Sequence, residues 1–296
     1  MRKRFQAVVS DLIEHHDTLV LLLGDIGVFG FKDSIASHPR RVLNIGILEQ
    51  AMTSFAAGLA LSGKIPILHT IAPFLIERPY EQLKIDFGYQ GLSGKFVSVG
   101  GSFDYAALGA THHAPGDITA LLAIPGFEIF LPANSEELEN MLRTELLRES
   151  LSYFRLSESE FSDPRLDPSA SMPQLLSKSS NTVIVAFGTA VKEGVEVSEA
   201  LDLSLIYMNA ITTVSVEKLT GLLTSSGFRN VVILQPFYQG SISHLIQKGL
   251  NGKYVLDLGV PRKFIHDYGT VEEIKLSIGL DGDRLKSQVE EFINEQ

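Results

Sequence analysis

A single carboxylate, Glu49, stands at the head of an apolar stretch. It closes Asn44-Ile45-Gly46-Ile47-Leu48-Glu49-Gln50 and precedes Ala51-Met52-Thr53-Ser54-Phe55-Ala56-Ala57-Gly58-Leu59-Ala60-Leu61. A helix apolar on nearly every face is a buried helix, and Glu is almost never fully buried without a partner. Burial disfavours the charged carboxylate, so Glu49 is expected to favour its neutral form unless something neutralises it. A carboxyl group so placed can exchange a proton or a hydrogen bond with a bound heterocycle.

Further chemistry-bearing residues lie in loops. Gly24-Asp25-Ile26-Gly27-Val28-Phe29-Gly30 follows an apolar run. Its G-x-x-G-x-x-G spacing is not the dinucleotide fingerprint, and no P-loop lysine follows. It reads as a turn capped by Asp25 or as backbone that approaches a ligand closely. The long loop from Gly100 to Asp117 contains Asp104 and carries the adjacent pair His112 and His113 near its end. Adjacent side chains diverge and no third ligand lies nearby, so the pair is a poor metal site. Either histidine suits proton transfer near neutral pH, and a structural role stands beside that reading. Phe74, Glu77 and Tyr80 recur at helical spacing, which on its own favours core packing. Arg155, in the apolar run Tyr153-Phe154-Arg155-Leu156, is either half of a structural ion pair or a fork for a substrate phosphate.

The elements that must position these residues alternate. Strands are expected at Thr18–Leu23, Arg41–Ile45, Ile65–His69, Phe96–Val99, Phe127–Leu131 and Ser152–Leu156. Helices fit between most of them, at Leu48–Leu61, Glu77–Gln90, Asp117–Ile124 and Ser135–Arg148, the last opened by the capping-box pair Asn134 and Glu137. This alternation implies a mostly parallel sheet covered by helices on both faces. Residues 161–180 are rich in Ser, Asp and Pro without periodicity and read as a linker between a first domain, 1–160, and a second, 181–296. Alternation then resumes, with strands near Thr182–Phe187, Leu205–Tyr207, Val231–Leu234 and Tyr254–Leu258. Helices are expected near Val191–Leu201, Val214–Leu223 and Ser241–Leu250, then one opened by the capping box Thr270-Val271-Glu272-Glu273, and a last from Asp283 to Ile293.

Composition narrows the function classes. The chain has 296 residues, 45% of them hydrophobic and 20% charged, which suits two packed domains. A net charge of −10 argues against nucleic acid or an anionic membrane as principal partner. Cysteine is absent, which excludes disulfides, thiolate nucleophiles and Cys-ligated metals and suits a cytoplasmic protein. The basic start Arg2-Lys3-Arg4 leads into an amphipathic helix interrupted by Asp11 and Glu14 rather than a signal peptide, and no window reaches a membrane span.

The ordered set of motifs resembles the transketolase family. It comprises the Asn44–Met52 segment, Phe74 with Tyr80, Thr111-His112-His113, Ala123-Ile124-Pro125-Gly126 and Leu131-Pro132-Ala133-Asn134. Val183–Thr189 and His266-Asp267-Tyr268-Gly269-Thr270-Val271-Glu272-Glu273 extend the likeness to the end of the chain. The resemblance is to the carboxyl-terminal half: a pyrimidine-binding domain of the thiamine-diphosphate fold followed by the family's carboxyl-terminal α/β domain. It implies that Glu49 bonds the aminopyrimidine nitrogen of thiamine diphosphate and promotes the tautomer that generates the reactive carbanion. It places Phe74 and Tyr80 around the pyrimidine, His112 on the substrate hydroxyl with His113 beside it, Arg155 on a sugar phosphate, and Asp25 on the cofactor side.

Departures from the family pattern matter as well. Leu108 replaces an aspartate four residues before the loop histidine, Gly100 replaces a further histidine, and Asp104 is a candidate to compensate. The Gly-Asp-Gly motif that holds the diphosphate and Mg²⁺ in the family has no counterpart here. The expectation is therefore a split enzyme, in which a partner subunit supplies the diphosphate and Mg²⁺ site, in an α2β2 assembly acting on sugar phosphates by ketol transfer. Alternatives are a subunit like deoxyxylulose-phosphate synthase or the β-chain of a 2-oxoacid dehydrogenase, or a degenerate scaffold.

Overall fold

Five consecutive apolar residues, Leu19–Leu23, form β1 and are buried on both faces, as a central strand of a parallel sheet requires. In the computed structural model, which describes residues 1–296, eleven further strands follow. They are β2 (Val42–Asn44), β3 (Ile65–Ile71), β4 (Gly94–Val99), β5 (Phe127–Phe130), β6 (Leu151–Arg155), β7 (Gln174–Ser177), β8 (Thr182–Phe187), β9 (Ser204–Met208), β10 (Ala210–Ile211), β11 (Asn230–Tyr238) and β12 (Tyr254–Val260). A seven-stranded sheet has the order β10-β5-β6-β4-β3-β1-β2, and a five-stranded one the order β12-β11-β8-β9-β7. All pairings are parallel except β10 on β5 and β7 on β9. The chain thus has the two-domain α/β architecture that the alternation implies.

Side-chain alternation divides the first sheet between two cores. Leu22, Leu68, Phe96 and Tyr153 belong to an apolar cluster that continues into Val185, Ile206 and Ile233 of the second half. Leu21, Leu23, Ile67, Val97 and Phe154 point to the other face, where Phe5, Val9 and Ile13 of the first helix cover them. The register aligns the carboxyl ends of the strands: Leu23 lies opposite both Asn44 and His69, His69 opposite Val97, and Ser98 opposite Arg155. Ligands of open α/β sheets bind beyond that edge, and Asp25, Glu49, Phe74 and the loop of His112 all follow it. No helix is long and apolar enough to cross a membrane.

Several expectations need correction. The span 161–180 is not all linker, because β7 adds to the second sheet as an antiparallel edge. A four-residue edge strand of this kind is set by its pairing partner more than by its own pattern. The helix expected at Glu77–Gln90 is broken. Ala72–Ile76 is one short helix and Tyr80–Gln82 another, and the chain then widens into a π-helical segment, Leu83–Tyr89. Pro79, with no N–H to donate, sits at the break. In the segment Ser241–Leu250 only Gln247–Leu250 is helical. Asn134 caps its helix through the N–H groups of Glu136 and Glu137, but the Glu137 carboxylate accepts from Ala133 instead of closing a capping box. The box at Thr270 is complete.

The helix Glu49–Leu61 is also only half covered. Met52, Thr53, Ala56 and Ala57 face the core, while Ala51, Ser54, Phe55, Gly58 and Leu61 form an exposed stripe at helical spacing. Ile47, Leu48, Phe29 and Tyr89 are further exposed apolar side chains of this domain.

Candidate active site

Glu49 is the first residue of its helix, 1% exposed, where a negative charge meets the positive end of the helix dipole. Its neutralising partner is Arg78, whose Nη1 donates to Glu49 Oε1 at 2.7 Å. The same guanidinium lies over the Phe74 ring, 4.0 Å from its centre, a close cation–π contact. Phe74 lies in the helix Ala72–Ile76 and Arg78 in the turn that follows it, so the helix and its exit supply the aromatic face and the cation. Sequence reasoning missed Arg78. The signal was the requirement that a buried Glu have a partner, together with an arginine at the helical spacing from Phe74.

His112 completes this side of the edge. Its ring meets Phe74 edge-on at 5.2 Å between centres and Tyr105 at 6.3 Å. Thr111 Oγ1 lies 2.9 Å from Nδ1, which fixes the ring and leaves Nε2 for a substrate. Asp25 adopts a left-handed backbone, φ 65°, and exchanges two hydrogen bonds with Asn44: its N–H donates to Oδ1 at 3.0 Å, and Nδ2 donates to its Oδ1 at 3.2 Å. Asn44 Oδ1 also accepts from Gly46 N–H, so Asp25 ties the loop after β1 to the one that delivers Glu49. Tyr80 is half-buried and packs against the core cluster opposite the one that Phe74 joins. The two aromatics do not share one face, because the helix breaks between them.

Three expected substrate contacts are turned inward. Arg155 is no free fork: it is 5% exposed, and its Nε donates to Asp117 Oδ2 at 2.7 Å. Its Nη2 donates to Ser102 Oγ and to the Ala114 carbonyl, both at 3.0 Å. Tyr153 O–H donates to the same Asp117 oxygen at 2.8 Å, and burial pushes that phenol well above its usual range. A parallel strand buried on both faces turns Arg155 into the fold, so it is the structural ion pair. His113 diverges from His112, packs edge-on against Phe103 at 5.0 Å and lies within reach of the Ala106 carbonyl. Burial pulls its pKa down, so it serves the loop's core. Asp104 accepts from Ser157 Oγ at 2.8 Å and from Glu158 N–H at 3.0 Å. Burial raises it from 3.8 to about 6, and these two bonds oppose the rise. It lines a cavity of about 310 Å³ between the two domains with Gln235 and Lys275, so its oxygens are committed away from His112.

Gly100 has φ 80°, and a Cβ there would meet the Tyr105 ring at 2.4 Å; no histidine fits that position. Glu77 is a second group that sequence reasoning left aside. Much of the residue is exposed, yet its carboxyl end turns toward Gly116 and Tyr238. Desolvation there, with the Asp117 charge adding, pushes it up to about 7.

Glu49 and Phe74 together hold a planar cation, hydrogen-bonded to the carboxylate at 2.7 Å and 4.0 Å from the ring centre, which are contacts a flat nitrogen heterocycle could also make. No group of three or more His, Cys, Asp or Glu converges to hold a metal ion.

Comparison with known proteins adds the following. The family model described as "Transketolase, pyrimidine binding domain" matches residues 1–163. An uncharacterized 33.6 kDa protein in the fasciation locus of Rhodococcoides fascians is 30% identical over 98% of this chain and 93% of its own length. One of the subunits of an apulose-4-phosphate transketolase, from Actinobacillus succinogenes, is 32% identical over 56% of this chain and 55% of its own. 1-Deoxy-D-xylulose-5-phosphate synthase of Aeromonas hydrophila is 28% identical over 86% of this chain, which spans only 42% of that enzyme. Among solved structures, a split-gene transketolase described as an inactive β4 tetramer superposes with a TM-score of 0.80 at 20% identity, covering 99% of this chain and 97% of that one. Transketolase from Campylobacter jejuni superposes at 0.77 with 16% identity, covering 97% of this chain and 46% of that one.

Proposed function

Because the chain belongs to the transketolase family, through its pyrimidine-binding domain, we propose that it is the second subunit of a split, thiamine-diphosphate-dependent transketolase. It transfers a two-carbon ketol unit between sugar phosphates in the cytoplasm, within an α2β2 assembly whose other chain carries the diphosphate and Mg²⁺ site. The observation that carries this reading is the slot of Glu49 and Phe74. It meets the needs of one end of the cofactor, while the chain offers nothing for the other end. The chain spans 97% of the split-gene subunit, 46% of the Campylobacter jejuni transketolase and 42% of the synthase. The exposed stripe of Ala51, Ser54, Phe55 and Gly58, beside Ile47 and Leu48, supports a partner at the same edge.

When bound, thiamine diphosphate would supply a carbanion nucleophile for the ketose carbonyl carbon and an electron sink for the two-carbon unit released by carbon–carbon cleavage. This chain's residues do the rest of what its half requires. Glu49 hydrogen-bonds the ring nitrogen and shares a proton with it, in a site that helix burial keeps dry. Phe74 holds the ring flat. His112 Nε2, held at the rim by Thr111, exchanges a proton with the substrate hydroxyl while the carbon–carbon bond breaks. Arg155 has no part in phosphate binding in this reading, so that contact falls to the partner or to another residue.

The relative named for apulose 4-phosphate makes that ketose phosphate the first donor to try, and the 28% identity to deoxyxylulose-phosphate synthase makes pyruvate the second. The test is reconstitution with a chain bearing the diphosphate half, then parallel assays of ketol transfer and of pyruvate-dependent condensation. Ketol transfer that appears only in the mixture supports the proposal. Pyruvate turnover instead would make the chain synthase-like, and activity indifferent to Glu49→Ala would make it a scaffold.

A further inference from the structure

Arg78 makes, inside the free chain, both contacts that the pyrimidine ring would make. Its guanidinium is planar and cationic, donates one N–H to Glu49 Oε1 at 2.7 Å, and lies 4.0 Å from the centre of Phe74. A 4-aminopyrimidine protonated on its ring nitrogen has the same chemistry. It is a flat, delocalised amidinium that donates an N–H to a carboxylate and stacks on an aromatic face. A ring seated on the same face of Phe74 and bonded to Glu49 would need the space that the guanidinium fills. The Arg78 side chain is 36% exposed while that of Glu49 is 2% exposed, so the arginine covers the slot from the solvent side and has open space to leave into.

We propose that Arg78 is an internal stand-in for the cofactor's aminopyrimidine, so that the slot is an amidinium-recognition site which the free subunit keeps closed with its own side chain. This rests on the functional reading above only for the identity of the natural ligand; the self-occupancy rests on the two contacts. The arrangement has two effects. It keeps the buried Glu49 charge paired while no cofactor is present, avoiding an unpaired carboxylate in an apolar helix end. It also weakens ring binding by the fraction of time the slot is filled, so the free chain captures thiamine or a stray amidine less readily before its partner arrives. Arg78 is a positioning and gating residue on this view, and Glu49 and Phe74 are the binding groups.

The test uses the full-length isolated subunit and two probes, methylguanidinium and 4-amino-5-hydroxymethyl-2-methylpyrimidine, titrated by calorimetry and ligand-observed NMR. Arg78→Ala is expected to bind both at least about tenfold more tightly than the wild type, and Arg78→Ala with Glu49→Gln to bind neither. Pyrimidine binding that is measurable in the wild type and no tighter in Arg78→Ala overturns the self-occupancy, because the arginine would then not compete with the ring. If methylguanidinium fills the Arg78→Ala slot and the pyrimidine does not, the self-closed amidinium site stands and the thiamine reading falls. If neither probe binds Arg78→Ala, the self-occupancy falls. Should Arg78→Ala fail to fold, Arg78→Lys keeps the charge while losing the flat stacking face, and the same tightening is expected of it.

Discussion

Two arginine–carboxylate pairs in the first domain have the same length and opposite characters. Arg155 Nε meets Asp117 at 2.7 Å, and Arg78 Nη1 meets Glu49 at 2.7 Å. In the first pair the side chains are 4% and 0% exposed, and Tyr153, Ser102 and the Ala114 carbonyl add three further hydrogen bonds to it. In the second, one partner is buried and the other stands half in solvent, with an aromatic ring as its other neighbour. Distance therefore does not separate a fixed pair from an exchangeable one. The separation lies in how many further partners each group has and whether one of them can leave.

The comparison breaks first at Arg155. Arg155→Met is expected to leave the Asp117 charge buried without its cation and to cost about 3–5 kcal/mol, read as a lowered urea midpoint. Adding Asp117→Asn should restore part of that loss, since the orphaned charge is then gone. If Arg155→Met is as stable as the wild type yet raises KM for sugar phosphates, the residue is the phosphate fork after all. Next in size is Glu49→Gln, which should lower turnover of the reconstituted enzyme on the order of 10²–10⁴-fold with little change in unfolding. At the half-exposed pair, Arg78→Ala should cost less unfolding free energy than Arg155→Met, because the departing side chain opens Glu49 to solvent, and an equal loss would make the two pairs alike.

A pH-dependent effect belongs to Asp104. Its folded pKa of about 6 lies above the unfolded value near 3.8, so the folded state holds the proton more tightly. Its contribution to stability is therefore present below pH 4 and is lost as pH rises toward 6. A pH series of thermal midpoints should fall more steeply in that window for the wild type than for Asp104→Asn. Equal slopes would show that the cavity is wetter than its lining suggests.

The sequence told unevenly about these regions. The strands around the site were legible because buried parallel strands are apolar runs bounded by turns, and Glu49 was legible because a lone acid in such company is improbable. The direction in which a loop side chain points was not. His112 and His113 are neighbours of one type, and only the packing of Phe103 against one and Phe74 against the other separates them. Arg155 looked free because Asp117, its partner, is 38 residues away. Arg78 is hidden for a similar reason, as its role depends on where two helices begin relative to each other. The strands β7 and β10 escaped because four and two residues carry too short a pattern to outweigh the partner strand in deciding their state.

The two-residue strand β10 has a consequence for how the chain is made. Ala210 and Ile211 pair with Phe130 and Ile129 and so close the free edge of the first sheet with residues that lie beyond β9 of the second. Domains generally fold in order as they leave the ribosome, yet this first sheet lacks its last edge until nearly fifty residues past the end of the family match have been synthesised. A nascent chain stalled before Ala210 exposes the β5 edge, which is a template for pairing with other chains. Cutting the protein between its domains would therefore yield a first half prone to aggregate, and the boundary visible in sequence is not a boundary for folding.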